Sequence, residues 1–367
     1  MGAVLQRAAL SPNIKDRLDY SCAIFDVAGE LCAQAAHIPV HLGSMAYAMR
    51  DLVRDINWRD GGMIVVNDPF LGGTHVPDVT IIAPLFVDGA LVAFVANRAH
   101  HANIGAATPG SMPLSTSVHD EGLVLAPQTL LNNGVWNERL MQSLAAATGR
   151  DASTRADFAA QVSANRAGLA RLHAFVCAGG VDTFGAGVRA LHEHGAQIAA
   201  KALRVIPPGV YTFTDYMDDD GFGACDLPIV VTLRVESGRI IVDFSGTAPQ
   251  TPGNINCPLS VAAAAVYYVL RCLMPPHAPT CAGAFRCLTL TAPAGCLVNA
   301  RYPAAVAAGN VETSTRIVDA LLGALAQAVP DLIPSASQGS MNNVALGARD
   351  AAGAWDYYET IGGGMGA

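Results

Sequence analysis

A histidine and an aspartate three residues apart, His75 and Asp78, stand in the stretch LGGTHVPDVTI at residues 71–81. Imidazole nitrogens and carboxylate oxygens are the atoms with which proteins bind zinc, manganese and non-haem iron. Pro77 lies between the two residues and excludes a helix interior, because proline lacks the amide proton that a helix needs. The pair is therefore predicted to lie in a loop that leads into a strand.

A third ligand is suggested by the run VTIIAPLFVDGALVAFVANRAHH, residues 79–101, which predicts a β-hairpin. Two apolar, β-branched segments flank Asp88-Gly89, a dipeptide that favours a tight turn. If the turn is centred near Gly89, Asp78 and His100 are equally far from it and face each other at the open end. A two-residue turn would place His100 on the other face, so the prediction requires an odd-numbered loop or a bulge.

His75, Asp78 and His100 would then form a set of two histidines and one carboxylate. Such a set leaves positions open, where a metal can lower the pKa of water or polarise a carbonyl group. The alternative is a polar hairpin mouth whose histidines bind backbone groups, and the residues alone leave both interpretations open. Four further residues nearby are candidates for proton transfer or for support of the ligands: His101, Asn103, His119 and Glu121.

The elements that must position these residues alternate between strand and helix patterns. Residues 20–26 and 30–36 predict another hairpin, and residues 43–56 predict a helix with Ser44 as a possible N-cap. Asn310 is a possible cap for a long helix at residues 310–329. These patterns predict a mixed α+β fold with hairpin-rich sheets.

A pair of helices is predicted at residues 153–177 and 186–204. This pair is expected to separate a β-rich domain carrying the metal site, residues 1–150, from a second α/β domain, residues 205–367. The second domain stops within a Gly-rich turn, so we expect it to be truncated. The first helix should be amphipathic, with its apolar stripe formed by Phe158, Val162, Leu169, Leu172 and Phe175.

Composition narrows the classes of partner. With 22 Lys and Arg against 30 Asp and Glu, the net charge is −8, and no basic cluster for nucleic acid is present. No apolar run reaches the roughly 20 residues that a membrane span needs. Hydrophobic residues nevertheless make up 51%, which indicates extensive buried subunit surface and hence an oligomer. The scattered cysteines, without C-x-x-C, are typical of a reduced, cytoplasmic protein.

Several longer motifs resemble the hydantoinase B/5-oxoprolinase family. The resemblance covers nearly the whole chain. The family includes N-methylhydantoinase B-type subunits and the metal-binding subunits of acetone and acetophenone carboxylases. The motifs that carry it are SPNIKDRLDYSCAIFDVAGELCAQAAHIPVHLGSM, NDPFLGGTHVPDVT, RAHHANIG, PGSMP, EGL, DFSGTAPQTPGNIN and GNVETSTRIVDALLGAL.

The resemblance implies a hetero-oligomer. In this family a hydantoinase A-type partner binds ATP and Mg and phosphorylates the substrate, which fits the lack of a Walker-type phosphate loop here. The metal-binding subunit then completes the opening of a small cyclic amide. The family ligands match His75, Asp78 and His100, and Asp19 in LDYS is the candidate fourth ligand for Zn or Mn. No membrane or nucleic-acid partner is implied.

Two alternatives to the cyclic amidase follow from the same residues: a subunit of an ATP-dependent carboxylase, and a non-catalytic structural subunit. A non-haem iron oxygenase fits the ligand set alone, but the rest of the chain does not resemble a small β-barrel. One departure from the family concerns Asn103, which stands where relatives carry an aspartate after the double histidine. An amide cannot act as the same base, so the resemblance supports no acid-base role there.

Overall fold

The structure of the chain is a computed structural model that describes residues 1–36, 38–149, 151–236, 238–350 and 353–366. These residues contain eight α-helices: α1 Gly2–Ala8, α2 Pro12–Lys15, α3 Val40–Asp55, α4 Glu138–Thr148, α5 Asp151–Gly179, α6 Val181–Ala202, α7 Leu259–Cys272 and α8 Thr313–Ala326. The mixture of helices and sheets confirms the predicted α+β class.

Thirteen strands are present in the same described residues. They form sheets of seven, four and two strands, with the orders β2-β1-β5-β4-β3-β6-β7, β11-β10-β9-β8 and β12-β13. Their bounds are β1 Tyr20–Asp26, β2 Leu31–Ala36, β3 Met63–Val66, β4 Asp78–Val87, β5 Ala90–His100, β6 Gln128–Asn132, β7 Val135–Trp136, β8 Gly209–Asp219, β9 Cys225–Glu236, β10 Arg239–Asp243, β11 Leu288–Thr291, β12 Asn343–Asp350 and β13 Gly353–Thr360.

The β4–β5 hairpin forms the centre of the seven-stranded sheet, and its register depends on a bulge. Next to the turn, Val87 pairs with Ala90, so the turn has two residues. Without a bulge, this turn would place His100 on the other face of the sheet. Between this pair and Leu85 the register shifts, and Val92 is left as the extra residue on β5. The shift places Asp78 opposite His100. The predicted pairing is therefore confirmed, through a bulge.

Both faces of this sheet are covered, which explains why β4 is a continuous apolar run and not an alternating one. On one face α5 packs against β4 and β5 through Phe158 and Val162. On the other face α3 packs through Met45 and Met49. Phe175, predicted to lie on the buried stripe of α5, is instead 68% exposed. Leu172 and Val176 remain buried in the same core as Phe158, so Phe175 lies on the outer side of the helix.

The beginning of α3 differs from the prediction. The helix starts at Val40, so Ser44 lies inside it, and its Oγ donates to the carbonyl oxygen of Val40 at 2.9 Å. Ser44 also accepts a hydrogen bond from the buried Arg98 guanidinium. Its polar side chain therefore serves a tertiary contact and not the N-cap. Helix α3 packs closely on α7, since a Cβ on Gly43 would lie 2.7 Å from Cα of Ala264.

The four-stranded sheet is covered by α7 and α8, with Val231 and Leu233 of β9 packed against Ile317 and Leu321 of α8. Helix α8 begins at Thr313 and not at Asn310, which belongs to a preceding 3-10 turn, Ala308–Asn310. Nowhere in the described segments is there a helix with the length and apolar content needed to cross a bilayer.

Candidate metal centre

The side chains of His75, Asp78 and His100 meet at the open end of the β4–β5 hairpin. One ligand atom from each lies within 4.8 Å of the other two. Oδ1 of Asp78 is 3.2 Å from Nε2 of His75 and 3.2 Å from Nδ1 of His100. All three residues are buried. The loop before β4 supplies the first residue, and the paired ends of β4 and β5 supply the others.

The protonation of the His75 ring follows from its partners. Nδ1 lies 3.2 Å from the carbonyl oxygen of Ala307, which can only accept a hydrogen bond. The proton of the neutral ring is therefore on Nδ1, which leaves Nε2 as an acceptor, 3.2 Å from Oδ1 of Asp78 and 3.2 Å from Nδ2 of Asn310. The contact between Nε2 and the Asp78 oxygen is favourable when a cation or a proton lies between these two electron-rich atoms. Burial opposes protonation of His75, but the Asp78 carboxylate outweighs it and raises the pKa of His75.

The two oxygens of Asp78 have different surroundings. Oδ2 accepts hydrogen bonds from Thr74 and from Nε2 of His41, the latter at 3.3 Å. Oδ1 faces His75 and His100. Burial alone would raise the pKa of Asp78, but the charges of His75 and His41 lower it well below the usual value. The carboxylate is thus held ionised and oriented, with one oxygen directed at the histidines.

Asp19 lies at the edge of the same cluster, with Oδ2 3.9 Å from Nδ1 of His100. It is 4% exposed, and the same oxygen lies 3.3 Å from Nη1 of Arg17. Nε2 of His100 is buried and has no hydrogen-bond partner among the described residues. A buried ring nitrogen without a partner is suited to binding a cation. Two imidazoles and two carboxylates are a donor set that suits a divalent metal. These residues can hold a divalent metal ion.

The side chain of His101 packs against α5, whereas that of His100 faces Asp78. Its Nε2 donates to Oε1 of Gln161 at 2.9 Å, and its ring packs on Phe158. The amide of Gln161 in turn donates to the carbonyl oxygen of Val79 and to Oδ1 of Asn97. Burial lowers the pKa of His101. Its ring therefore joins the hairpin to the long helix.

Glu121 is fully buried and reaches the cluster through the backbone. Its Oε1 accepts hydrogen bonds from the amides of Val306 and Ala307, at 2.8 and 2.9 Å, and from Ser115. Ala307 is the residue whose carbonyl oxygen binds His75. Burial raises the pKa of Glu121. The carboxylate thus fixes the segment that orients a ligand ring.

His119 is exposed, and its side chain contacts Tyr302. Its Nε2 lies 2.8 Å from the Tyr302 hydroxyl, and the two rings pack edge to face. Asn103 forms a turn: its Oδ1 accepts from the amide of Gly105, and its Nδ2 donates to the carbonyl oxygen of Thr148. The Asn103 side chain thus stabilises the turn that follows the double histidine.

Three residues around the cluster were not identified from the sequence as parts of the site. His41 supports Asp78, Asn310 places its Nδ2 3.2 Å from Nε2 of His75, and Tyr358 stacks on the His100 ring with centroids 5.4 Å apart. His41 and Asn310 carried a signal, since both stand in motifs that resemble the family. Tyr358 lies outside those motifs and far along the chain, and no local pattern links it to the hairpin.

Comparison with known proteins identifies the family of the chain. The family model described as Hydantoinase B/oxoprolinase matches residues 1–367. The chain is 36% identical to 5-oxoprolinase 1 of Arabidopsis thaliana, over 100% of this chain and 30% of that protein. It is 31% identical to a putative D-/L-hydantoinase B-type subunit of a Pseudomonas strain, over 100% of this chain and 65% of the relative.

Among solved structures, the ATP-dependent caprolactamase from Pseudomonas jessenii superposes with a TM-score of 0.86 at 27% identity. The match covers 98% of this chain and 65% of the caprolactamase chain. The chain thus spans no more than about two thirds of the length of each of these three relatives. Because the family model covers its full length, the chain belongs to the hydantoinase B/oxoprolinase family.

Proposed function

We propose that this chain is the metal-binding B-type subunit of an ATP-dependent cyclic amidase, which hydrolyses the amide bond of a small ring. The observation that carries the proposal is the meeting of His75, Asp78 and His100, in which one carboxylate oxygen lies 3.2 Å from a ring nitrogen of each histidine. The reaction class is supported by the relatives, which include a 5-oxoprolinase, a hydantoinase subunit and a caprolactamase.

The metal would be Zn or Mn, held by His75, Asp78, His100 and Asp19. When bound, such an ion polarises a carbonyl group or lowers the pKa of a water molecule. The chain's own residues prepare the site. Thr74 and His41 fix the Asp78 carboxylate, and burial of the cluster excludes bulk water and strengthens its electrostatic interactions.

ATP and Mg would be bound by a hydantoinase A-type partner, which phosphorylates the ring amide before this chain completes its opening. The relative named as the B-type component of a hydantoinase supports the existence of such a partner. The proposed assembly is therefore a hetero-oligomer.

Proton transfer stays a prediction for His101, His119 and Glu121. His101 and Glu121 are buried and each is tied to neighbouring protein groups. They are better suited to position the ligands than to exchange protons with a substrate. His119 is exposed and shares a hydrogen bond with the Tyr302 hydroxyl, so it is our candidate for proton exchange.

The test is elemental analysis of protein purified without chelators, for wild type and for His75→Ala, Asp78→Ala and His100→Ala. We expect near-stoichiometric Zn or Mn in the wild type and loss of the metal in each variant. ATP-dependent hydrolysis of hydantoins and lactams with the partner subunit would then establish the reaction. ATP-dependent incorporation of labelled bicarbonate without hydrolysis would indicate a carboxylase. Full activity of a metal-free complex would reduce this chain to a structural subunit.

A further inference from the structure

A cavity of about 260 Å³ lies between the beginnings of α3 and α8. Binding pockets for drug-sized ligands occupy roughly 300–1,000 Å³, so this one suits a smaller molecule, such as a single ring. Its wall is formed by Pro39, Val40, Ala264, Ala265, Tyr268, Asn310, Ser314, Thr315, Val318, Ser337 and Met341.

Asn310 connects this cavity to the candidate metal centre. It lines the cavity, and its Nδ2 lies 3.2 Å from Nε2 of His75. Its Oδ1 is buried and has no hydrogen-bond partner within the described part of the chain. On the α3 side, Val40 lines the cavity and its neighbour His41 binds Asp78. The cavity therefore adjoins the cluster at Asn310.

The hydroxyl groups of three wall residues have already donated their protons. Ser314 donates to the carbonyl oxygen of Asn310, Thr315 to that of Glu312, and Ser337 to the Asp319 carboxylate, each at 2.7 Å. The hydroxyl oxygens of Ser314 and Thr315 can still accept hydrogen bonds through their lone pairs, whereas that of Ser337 already accepts one from the amide of Gly339. The wall is therefore suited to a ligand that offers N–H groups.

Charge supports the same ligand class. The residues that line the cavity include no Lys, Arg or His. A carboxylate placed there would have no cationic partner in the wall, and burying an unpaired charge is costly. An uncharged ring that carries both N–H and C=O groups avoids this cost.

We propose that this cavity binds the ring of a small, uncharged cyclic amide, and that Asn310 positions the ring beside His75. The proposal rests on the proposed amidase function and specifies its substrate class. Hydantoins and simple lactams are preferred over rings that bear a carboxylate, such as 5-oxoproline. The Asn310 carboxamide, whose Oδ1 is unused, hydrogen-bonds the ring.

The test measures ring binding to the full chain loaded with Mn²⁺, by ligand-observed NMR titration of hydantoin, 2-pyrrolidone and 5-oxoproline. Val318→Phe narrows the cavity, and Leu322→Phe, one turn further along α8 and outside the wall, is the matched control. We expect roughly tenfold weaker binding of hydantoin by Asn310→Ala, the size of one lost hydrogen bond. Val318→Phe should weaken it by at least as much, because the larger ring fills part of the cavity. Leu322→Phe should bind as the wild type does, and 5-oxoproline should bind more weakly than either uncharged ring.

The Mn content of every variant is measured alongside, so that loss of the metal is not mistaken for loss of the pocket. Equal hydantoin affinity in wild type, Val318→Phe and Asn310→Ala would overturn the pocket, whatever the activity. Tightest binding of 5-oxoproline, or no ring binding by the wild type, would overturn it as well. The amidase function fails separately, if the wild type binds rings as proposed but the complex with its partner and ATP opens none of them.

Discussion

Nε2 of His41 donates a hydrogen bond to Oδ2 of Asp78 at 3.3 Å, while Oδ1 of the same carboxylate faces His75 and His100. The His41 ring is held in turn by Ser21, whose Oγ lies 3.0 Å from its Nδ1. This chain of contacts fixes which oxygen is available for a metal ion. His41 therefore supports the site without belonging to the ligand set.

Replacing His41 should weaken metal binding without abolishing it. Partners of this kind typically contribute 10- to 100-fold in metal affinity, and we expect a loss of about that size in His41→Ala. Competition with a chromophoric chelator measures the affinity, and His173→Ala, an exposed histidine on α5, should match the wild type. Unchanged affinity in His41→Ala would show that the carboxylate needs no such support.

Tyr358 is expected to hold the His100 ring in place. Its ring stacks on that imidazole, and the Arg17 guanidinium lies 4.8 Å from its centroid. Tyr358→Phe should retain metal affinity, whereas Tyr358→Ala should lower it severalfold, because aromatic pairs contribute about 0.5–1.5 kcal/mol beyond area burial. The exposed neighbour Tyr357 provides a control in Tyr357→Ala. Equal losses in Tyr358→Ala and Tyr357→Ala would argue against a specific stack.

Gln161 should be one of the most sensitive polar positions for stability. It is fully buried and bonds His101, Val79 and Asn97. Gln161→Leu leaves these groups without their partner, at about 1–3 kcal/mol for each unsatisfied group. For three such groups we expect a decrease of at least about 3 kcal/mol in the free energy of unfolding, measured with urea. Gln197→Leu, on the exposed face of α6, should change it by less than about 0.5 kcal/mol.

Glu121 should affect stability in a pH-dependent way. Burial raises its pKa above the ordinary 4.5, so the folded protein takes up this proton at a higher pH than the unfolded chain does. As the pH falls from 7 through the folded pKa, the wild type should gain stability relative to Glu121→Gln. Unfolding in urea at pH 7, 5.5 and 4.5 measures the difference.

Glu138 provides a control, because its contribution to stability should change with pH in the opposite direction. Its hydrogen bond with Arg155 lowers its pKa, so the favourable contribution of the carboxylate is present above the unfolded pKa and is lost in acid. The wild type should therefore lose stability relative to Glu138→Gln as the pH falls below about 4.5. The same trend in both pairs would contradict the assigned burial of Glu121.

The sequence predicted the hairpin and the pairing of Asp78 with His100, because β-branched runs and a turn dipeptide are local signals. It could not show that Val92 is the residue that sets the register, since a bulge depends on how the two strands pair. The division into segments 1–150, 151–204 and 205–367 stays a prediction, and so do the roles of the candidate ligands.

The wrong predictions for Ser44 and Asn310 share a cause. A polar residue before an apolar run usually caps a helix, and both predictions follow from that local rule. In the structure Ser44 accepts a hydrogen bond from Arg98, and Asn310 lies beside His75, 235 residues away in the chain. Such long-range contacts compete with local capping, and nothing in a short sequence window shows them.

The bulge at Val92 also separates the hairpin tip from the cluster. Pairing beyond the bulge is set by the strands themselves, so the length of the turn at Asp88-Gly89 can change while His100 stays opposite Asp78. The tip is exposed, and a side chain on Gly89 would meet nothing within 4 Å. Ten strand residues, about 33 Å, separate it from the histidines. An affinity peptide or a fluorophore grafted at this tip would give a handle for purifying or tracking the protein without disturbing its chemistry.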